Sequence, residues 1–201
     1  MKLQGVVTPV VTVFDKDEEV DEKGFRAVVN YLIDHKVNGI FPCGGQGEGY
    51  SLTESEKFRI LDVCLETVAG RVHVLMGAGG ITTRGTIAQV RKAAEHGASA
   101  AVIITPYYIS PSQDELFHHY AAVMDAVDFP IYIYNNPWRT HLNILPETVA
   151  RLRAHSPNMR GIKDSSGDLG MTIGYKRLCG PEFEVFIGRD QLILAGLMSG
   201  L

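Results

Sequence analysis

Short apolar runs rich in Val, Ile, Phe and Tyr recur along the chain at residues 5–11, 39–41, 72–76, 100–104, 131–134, 159–162 and 184–187. Their centres lie roughly 25–35 residues apart, the length of one strand–helix–strand step. Each is punctuated near its end by Gly, Pro, Asn or Asp, as strands are. Between the runs the apolar period becomes helical. Residues 22–36 put Phe25, Val28, Val29, Leu32 and Ile33 on one face. Thr53-Glu54-Ser55-Glu56 opens a second helix, with Glu56 three residues after Thr53 as a capping box requires. That helix continues through Phe58, Ile60, Leu61, Val63 and Cys64. Residues 113–125 and 146–154 behave alike, and Pro146 suits a first helical turn.

Strand and helix alternating this regularly predict an α/β fold with a parallel sheet and right-handed crossovers. Near-continuous apolar strands fit a sheet buried on both faces. The expected architecture is a (β/α)8 TIM barrel forming a single domain over residues 1–201, with an open doubly wound sheet as the competing arrangement. Seven strand runs are one short of closure, and barrels of this type usually need about 250 residues. The expectation is therefore a barrel truncated before its eighth strand. The apolar segment 192–198 would then lack the strand it should precede, and two sheet edges would be open to association.

Composition narrows the function class. The 201 residues are 45% hydrophobic and 21% charged, enough for one sizeable core. A net charge of -4 argues against nucleic acid as a partner. No apolar run approaches the roughly 20 residues of a membrane span, and the first five residues lack the features of a signal peptide. Cys43, Cys64 and Cys179 are odd in number and widely spaced, which fits neither a disulfide framework nor a zinc site. A cytoplasmic protein with reduced thiols is expected.

In a barrel, function sits on the loops after the strands' C-terminal ends. Lys163 ends the apolar run 159–162. A lysine there either snorkels to solvent or points inward, where desolvation lowers its pKa and a neutral amine can attack a ketone. Tyr134 ends the preceding strand, either as a core tyrosine or as a proton shuttle beside that amine. Arg139 lies in the turn that follows, as a solvated loop residue or a two-donor grip on a carboxylate. The glycine-rich turn 44–48, containing Gly45 and Gln46, opens toward a helix; its backbone N–H groups either hold an anion or serve a tight turn alone. Gly188-Arg189-Asp190 ends the seventh strand. Gly77-Ala78-Gly79 has Thr82 where a dinucleotide fingerprint needs glycine, so no nicotinamide cofactor is expected. His118 and His119 are adjacent on a helix and point apart, while His73, His96 and His141 have no partners at ligand spacing. Neither a metal nor any other cofactor is expected.

Taken in order, four of these strand ends resemble the dihydrodipicolinate synthase and N-acetylneuraminate lyase family: the Gly-x-x-Gly-Glu turn at 44–48, Thr105-Pro106-Tyr107-Tyr108, Tyr134-Asn135-Asn136-Pro137 and Gly161-Ile162-Lys163-Asp164. The match runs over essentially the whole chain. The resemblance implies a class I aldolase-type lyase with Lys163 as Schiff-base lysine and Tyr134 as proton shuttle. It also implies Tyr108 as a tyrosine lent to a neighbouring subunit in a homo-oligomer, dimer or tetramer. Arg139 looks like the arginine that synthases of this family place on the second substrate's carboxylate, which favours aspartate semialdehyde over sialic acid. Gly45, Gln46, Arg139 and Gly188 make up the expected substrate-binding set. One departure stands out. The family usually carries two hydroxyl residues inside the glycine-rich turn, and here those positions are Gly45 and Gln46. The expected activity is condensation or cleavage of pyruvate with an aldehyde, dihydrodipicolinate synthase-like. An aldolase or dehydratase for a 2-keto-3-deoxy sugar acid stands beside it, and a barrel that binds a keto acid without turnover is the rival from a different class.

Overall fold

The computed structural model describes residues 2–201. In chain order its first half runs β1 (Val7–Pro9), α1 (Glu22–Asp34), β2 (Gly39–Phe41), α2 (Glu54–Val68), β3 (His73–Gly77), α3 (Thr83–Glu95) and β4 (Ala100–Ile104). There follow α4 (Gln113–Ala126), β5 (Ile131–Asn135), α5 (Pro137–Thr140), α6 (Pro146–His155), β6 (Met159–Asp164), α7 (Leu169–Cys179), β7 (Glu184–Ile187) and, after a short 3-10 turn, α8 (Ile193–Met198). The strand order is sequential from β1 to β7. This is the alternation of a (β/α)8 barrel through its seventh strand, as the apolar beat predicts.

The chain folds as two compact units. The first runs to Ala78 and takes in Arg91–Ala101. Within it β1 pairs with β2 and β2 with β3, both parallel. β1 is shorter than its apolar run. Gly5 has a positive φ of 80°, and the side chain of Asn38 accepts from the Val6 N–H at 2.9 Å, so the chain enters the ladder only at Val7. Asp21 caps α1 by accepting from Gly24 N–H at 3.0 Å. The capping box of Thr53 and Glu56 forms as the sequence predicts. Phe25 and Val29 of α1 and Ile60, Leu61 and Cys64 of α2 are buried, as a face of period 3.6 requires.

The second unit takes in residues 79–90 and 102–201. Its strands β5, β6 and β7 are parallel, with Tyr132 opposite Gly161, Tyr134 opposite Lys163, and Gly161 and Lys163 in turn opposite Glu184 and Phe186. A register shift where β5 passes from Ile131 to Tyr132 sets this alignment. Leu116, Val123, Ile131, Ile133, Val149, Leu152, Met159 and Ile162 form its apolar interior. Two buried tyrosines find backbone acceptors, since a phenol removed from water needs a partner: Tyr175 donates to Ile144 O at 2.6 Å and Tyr120 to Ile103 O at 3.4 Å.

One helix, α7, carries no strong apolar period. The buried face of α7 is Thr172 and Tyr175, and Gly174 lies against Pro146 of α6. Small and polar residues can cover a sheet closely, but they leave little signal in a hydrophobic pattern. No helix among the described residues is long and apolar enough to cross a membrane.

Candidate active site

Strand alternation and register determine which side chains meet in the second unit. Residues of one parity on β5, β6 and β7 share a face, so the register lines up one row of Tyr132, Gly161 and Glu184 and a second of Tyr134, Lys163 and Phe186. The Lys163 Nζ lies 4.4 Å from the centroid of the Tyr134 ring. Lys163 is half-buried and Tyr134 buried. Burial pushes the Lys163 ammonium down to about 8 from the usual 10.5. Asn136 donates its amide N–H to the Tyr134 hydroxyl at 2.8 Å. That bond fixes the direction of the phenol oxygen, while the amine lies over the ring.

The row beneath prepares this one. A Cβ at Gly161 would come within 2.2 Å of Glu184 O and 2.8 Å of the Tyr132 ring, so only glycine lets the strands and the ring approach this closely. The Tyr132 hydroxyl donates to the buried Glu184 carboxylate, with Arg160 Nη2 4.0 Å from the other oxygen. Burial and that carboxylate push the Tyr132 phenol well above its usual range, so it stays neutral.

Above Lys163 the chain is held by Asp164. Its buried carboxylate accepts from Asn135 Nδ2 at 2.9 Å, Ser166 N–H at 3.0 Å, Ser166 Oγ at 2.9 Å and Thr172 Oγ1 at 2.5 Å. Gly188 closes against the same segment. Its N–H donates to Asp164 O at 2.8 Å, and a Cβ there would meet Ser165 Oγ at 2.0 Å and the Lys163 Cε at 3.2 Å. Gly188, expected in the substrate-binding set, therefore lies against the stem of Lys163. Arg139 lies on α5 and is exposed. Its neighbour Trp138 is 68% exposed and donates its indole N–H to Ser166 O at 3.1 Å. Tyr108 is 95% exposed and holds a positive φ of 74°.

The turn at 44–48 belongs to the first unit. Cys43 and Glu48 have positive φ of 56° and 52°, and Gly49 N–H closes the turn on Gly44 O at 3.0 Å. Gly47 and Gly49 allow close backbone approach; a Cβ at Gly49 would lie 2.0 Å from Cys43 O. Gly45 and Gln46 are exposed, and a Cβ at Gly45 would meet nothing within 4 Å. The turn does not run directly into α2. Further turn residues intervene, and the first N–H groups of that helix are served by Thr53. Any anion held here would be held by the turn's own N–H groups and Gln46. Among the described residues no group of three or more His, Cys, Asp and Glu is placed to hold a metal ion.

A sequence model of the dihydrodipicolinate synthetase family matches residues 2–201. The chain belongs to this family. It is 40% identical over 200 residues to a protein of Nitratidesulfovibrio vulgaris (strain DSM 19637 / Miyazaki F) named 4-hydroxy-tetrahydrodipicolinate synthase, covering 100% of this chain and 68% of that one. Among solved structures, the dihydrodipicolinate synthase of Thermotoga maritima superimposes with a TM-score of 0.96 at 33% identity, over 100% of this chain and 68% of that one. The chloride-inhibited dihydrodipicolinate synthase of Acinetobacter baumannii, solved with pyruvate, has a TM-score of 0.96 at 31% identity, over 99% and 68%. This dihydrodipicolinate synthetase family chain thus spans about two thirds of the length of these relatives.

The expected family and barrel fold are borne out. The second unit brings Lys163, Tyr134 and Gly188 together. The residues that support them from behind, Asn136, Asp164, Ser165 and Gly161, went unassigned in the sequence. Asn136, Gly161 and Asp164 stood inside recognised motifs without a role, because a role of this kind exists only through contacts across strands.

Proposed function

We propose that this chain carries a class I lyase or synthase that joins pyruvate to an aldehyde through a Schiff base on Lys163. The observation that carries the reading is a desolvated amine against the Tyr134 ring at the C-terminal end of a strand. In the first step the neutral Nζ attacks the carbonyl carbon of pyruvate, giving a carbinolamine. Loss of that hydroxyl as water leaves an iminium whose positive nitrogen draws electrons from the C3–H bond. Removal of a C3 proton yields an enamine, and C3 then attacks the aldehyde carbon, whose oxygen takes up a proton. Water attacks the resulting iminium and frees Lys163. Tyr134, oriented by Asn136, is the group proposed to carry protons between these atoms. Gly188 leaves room for the lysine stem to swing beneath the substrate.

Gly45 and Gln46 are proposed to hold a carboxylate through backbone N–H groups and the Gln46 amide. Arg139 is proposed to bind the second substrate's carboxylate, which supports aspartate semialdehyde as the aldehyde. The extreme exposure of Tyr108, an aromatic held at positive φ, supports its proposed role in a neighbouring subunit of a homo-oligomer. Three unpaired cysteines suit a reducing, cytoplasmic setting.

Borohydride reduction in the presence of pyruvate tests the central claim. Peptide mass analysis is expected to find one reduced pyruvate adduct per chain, on Lys163. An adduct on another lysine of a folded protein, or none, overturns it.

A second reading has one observation in its favour. The glycine-rich turn carries Gly45 and Gln46 where the family motif usually has two hydroxyl residues, a departure that favours a different keto acid. A 2-keto-3-deoxy sugar acid aldolase or dehydratase would then turn over such acids faster than it condenses pyruvate with aspartate semialdehyde.

A further inference from the structure

Lys163 and Tyr134 account for chemistry at the keto acid, but the rim beside them holds a cation with no assigned task. Arg189 directly follows Gly188, and its Nε donates to Ser165 O at 3.2 Å. Its guanidinium carbon lies 5.1 Å from the centroid of the Trp138 ring. The ring is itself anchored, since its indole N–H donates to Ser166 O. Both side chains are therefore fastened to consecutive carbonyls of the loop that follows the proposed Schiff-base lysine. Arg189 is half-buried, and no carboxylate among the described residues stands within ion-pair distance of it. A planar guanidinium tethered through Nε and stacked on an aromatic face presents its two terminal nitrogens as a fixed fork. Such a fork is matched by a carboxylate.

We infer that Arg189 is a specificity-determining residue: stacked on Trp138, it binds a carboxylate on the aldehyde substrate and selects carboxylated aldehydes over neutral ones. This rests on the Schiff-base reading above. It differs from the role of Arg139, which is exposed on α5 and has no such tether. Discrimination arises because a half-buried fork left unpaired by a neutral substrate loses its hydration without compensation.

The test compares Arg189→Met, Arg189→Lys and Trp138→Leu with the parent full chain, using aspartate semialdehyde and a neutral aldehyde of similar length. Arg189→Met is expected to lower kcat/KM for the carboxylated aldehyde by about tenfold to a hundredfold, and to leave the neutral one within about twofold. Arg189→Lys keeps the charge but loses the fork, and falls between. Trp138→Leu loosens the guanidinium and gives a smaller loss in the same ratio. Pyruvate adduct formation on borohydride treatment separates the two levels of the argument. If the adduct forms at the parental rate in Arg189→Met while the ratio of the two aldehydes is unchanged, the inference fails and the Schiff-base reading stands. If the variant instead raises the KM for pyruvate alone, the carboxylate belongs to pyruvate and the inference is likewise overturned. If the parent forms no adduct on Lys163, the Schiff-base reading itself fails. Should Arg189→Met not fold, Arg189→Lys and Trp138→Leu decide between these outcomes by the same ratio.

Discussion

Lys163 titrates below an ordinary lysine because its ammonium would sit among protein atoms instead of water. With a folded value of about 8 against 10.5, roughly a tenth of the amines are neutral at pH 7, several hundred times the fraction in an unperturbed lysine. The rate of pyruvate adduct formation is therefore expected to rise from pH 7 and level off above about 8, measured by quenching with borohydride at intervals. A profile still rising steeply beyond pH 10 would mean that the reactive amine is solvated. The sign of the stability effect follows from the same shift. Between about 8 and 10.5 the unfolded chain binds the extra proton, so this residue's cost is full below pH 8 and is relieved as pH rises toward 10.5. Tyr134→Phe removes the hydroxyl that Asn136 orients but keeps the ring beside Lys163. Turnover should fall by about 10²–10⁴-fold with little change in pyruvate affinity, read from steady-state kcat and KM. A loss of less than about twofold would remove Tyr134 from the proton path. Both residues were legible in the sequence, because a lysine and a tyrosine each ending an apolar strand are chemically conspicuous. Arg189 and Trp138 were not, because stacking pairs them only after three strands align.

At the scale of the element, strands β5 to β7 depend on close backbone approach at Gly161. An alanine there places a methyl group against a backbone carbonyl and the Tyr132 ring, neither of which can retreat without moving a strand. Gly161→Ala should cost about 1–3 kcal/mol, seen as a lower urea midpoint at unchanged slope. A midpoint equal to the parent's would show that β6 and β7 can separate freely. Helices were legible where a capping box or a strong apolar face announced them, as in α1, α2 and α4. α7 was silent, since its buried positions are Thr172 and Tyr175 and offer little apolar contrast. The end of β1 was missed for another reason. Val6 has its polar groups satisfied by Asn38, a contact invisible to any local pattern.

For the molecule as a whole, the proposed chemistry needs only a lysine and a phenol, and the described residues offer no cluster for a metal. Activity measured after EDTA treatment and dialysis is expected to match the untreated protein. Loss on chelation, with recovery on adding a divalent ion, would reveal a site formed in some other way. The sequence by itself determined the fold class and the family, because the period of apolar runs and four ordered motifs are local properties written along the chain. It also determined the reactive residue types. Tertiary structure alone decided which of them lie together. Register places Lys163 between Tyr134 and Phe186, and Gly188 lies against the lysine stem, from three separate strands. It alone decided the pKa of that lysine, which reflects how many protein atoms replace water around Nζ. That number is a sum over contacts distant in sequence, and no pattern along the chain encodes it.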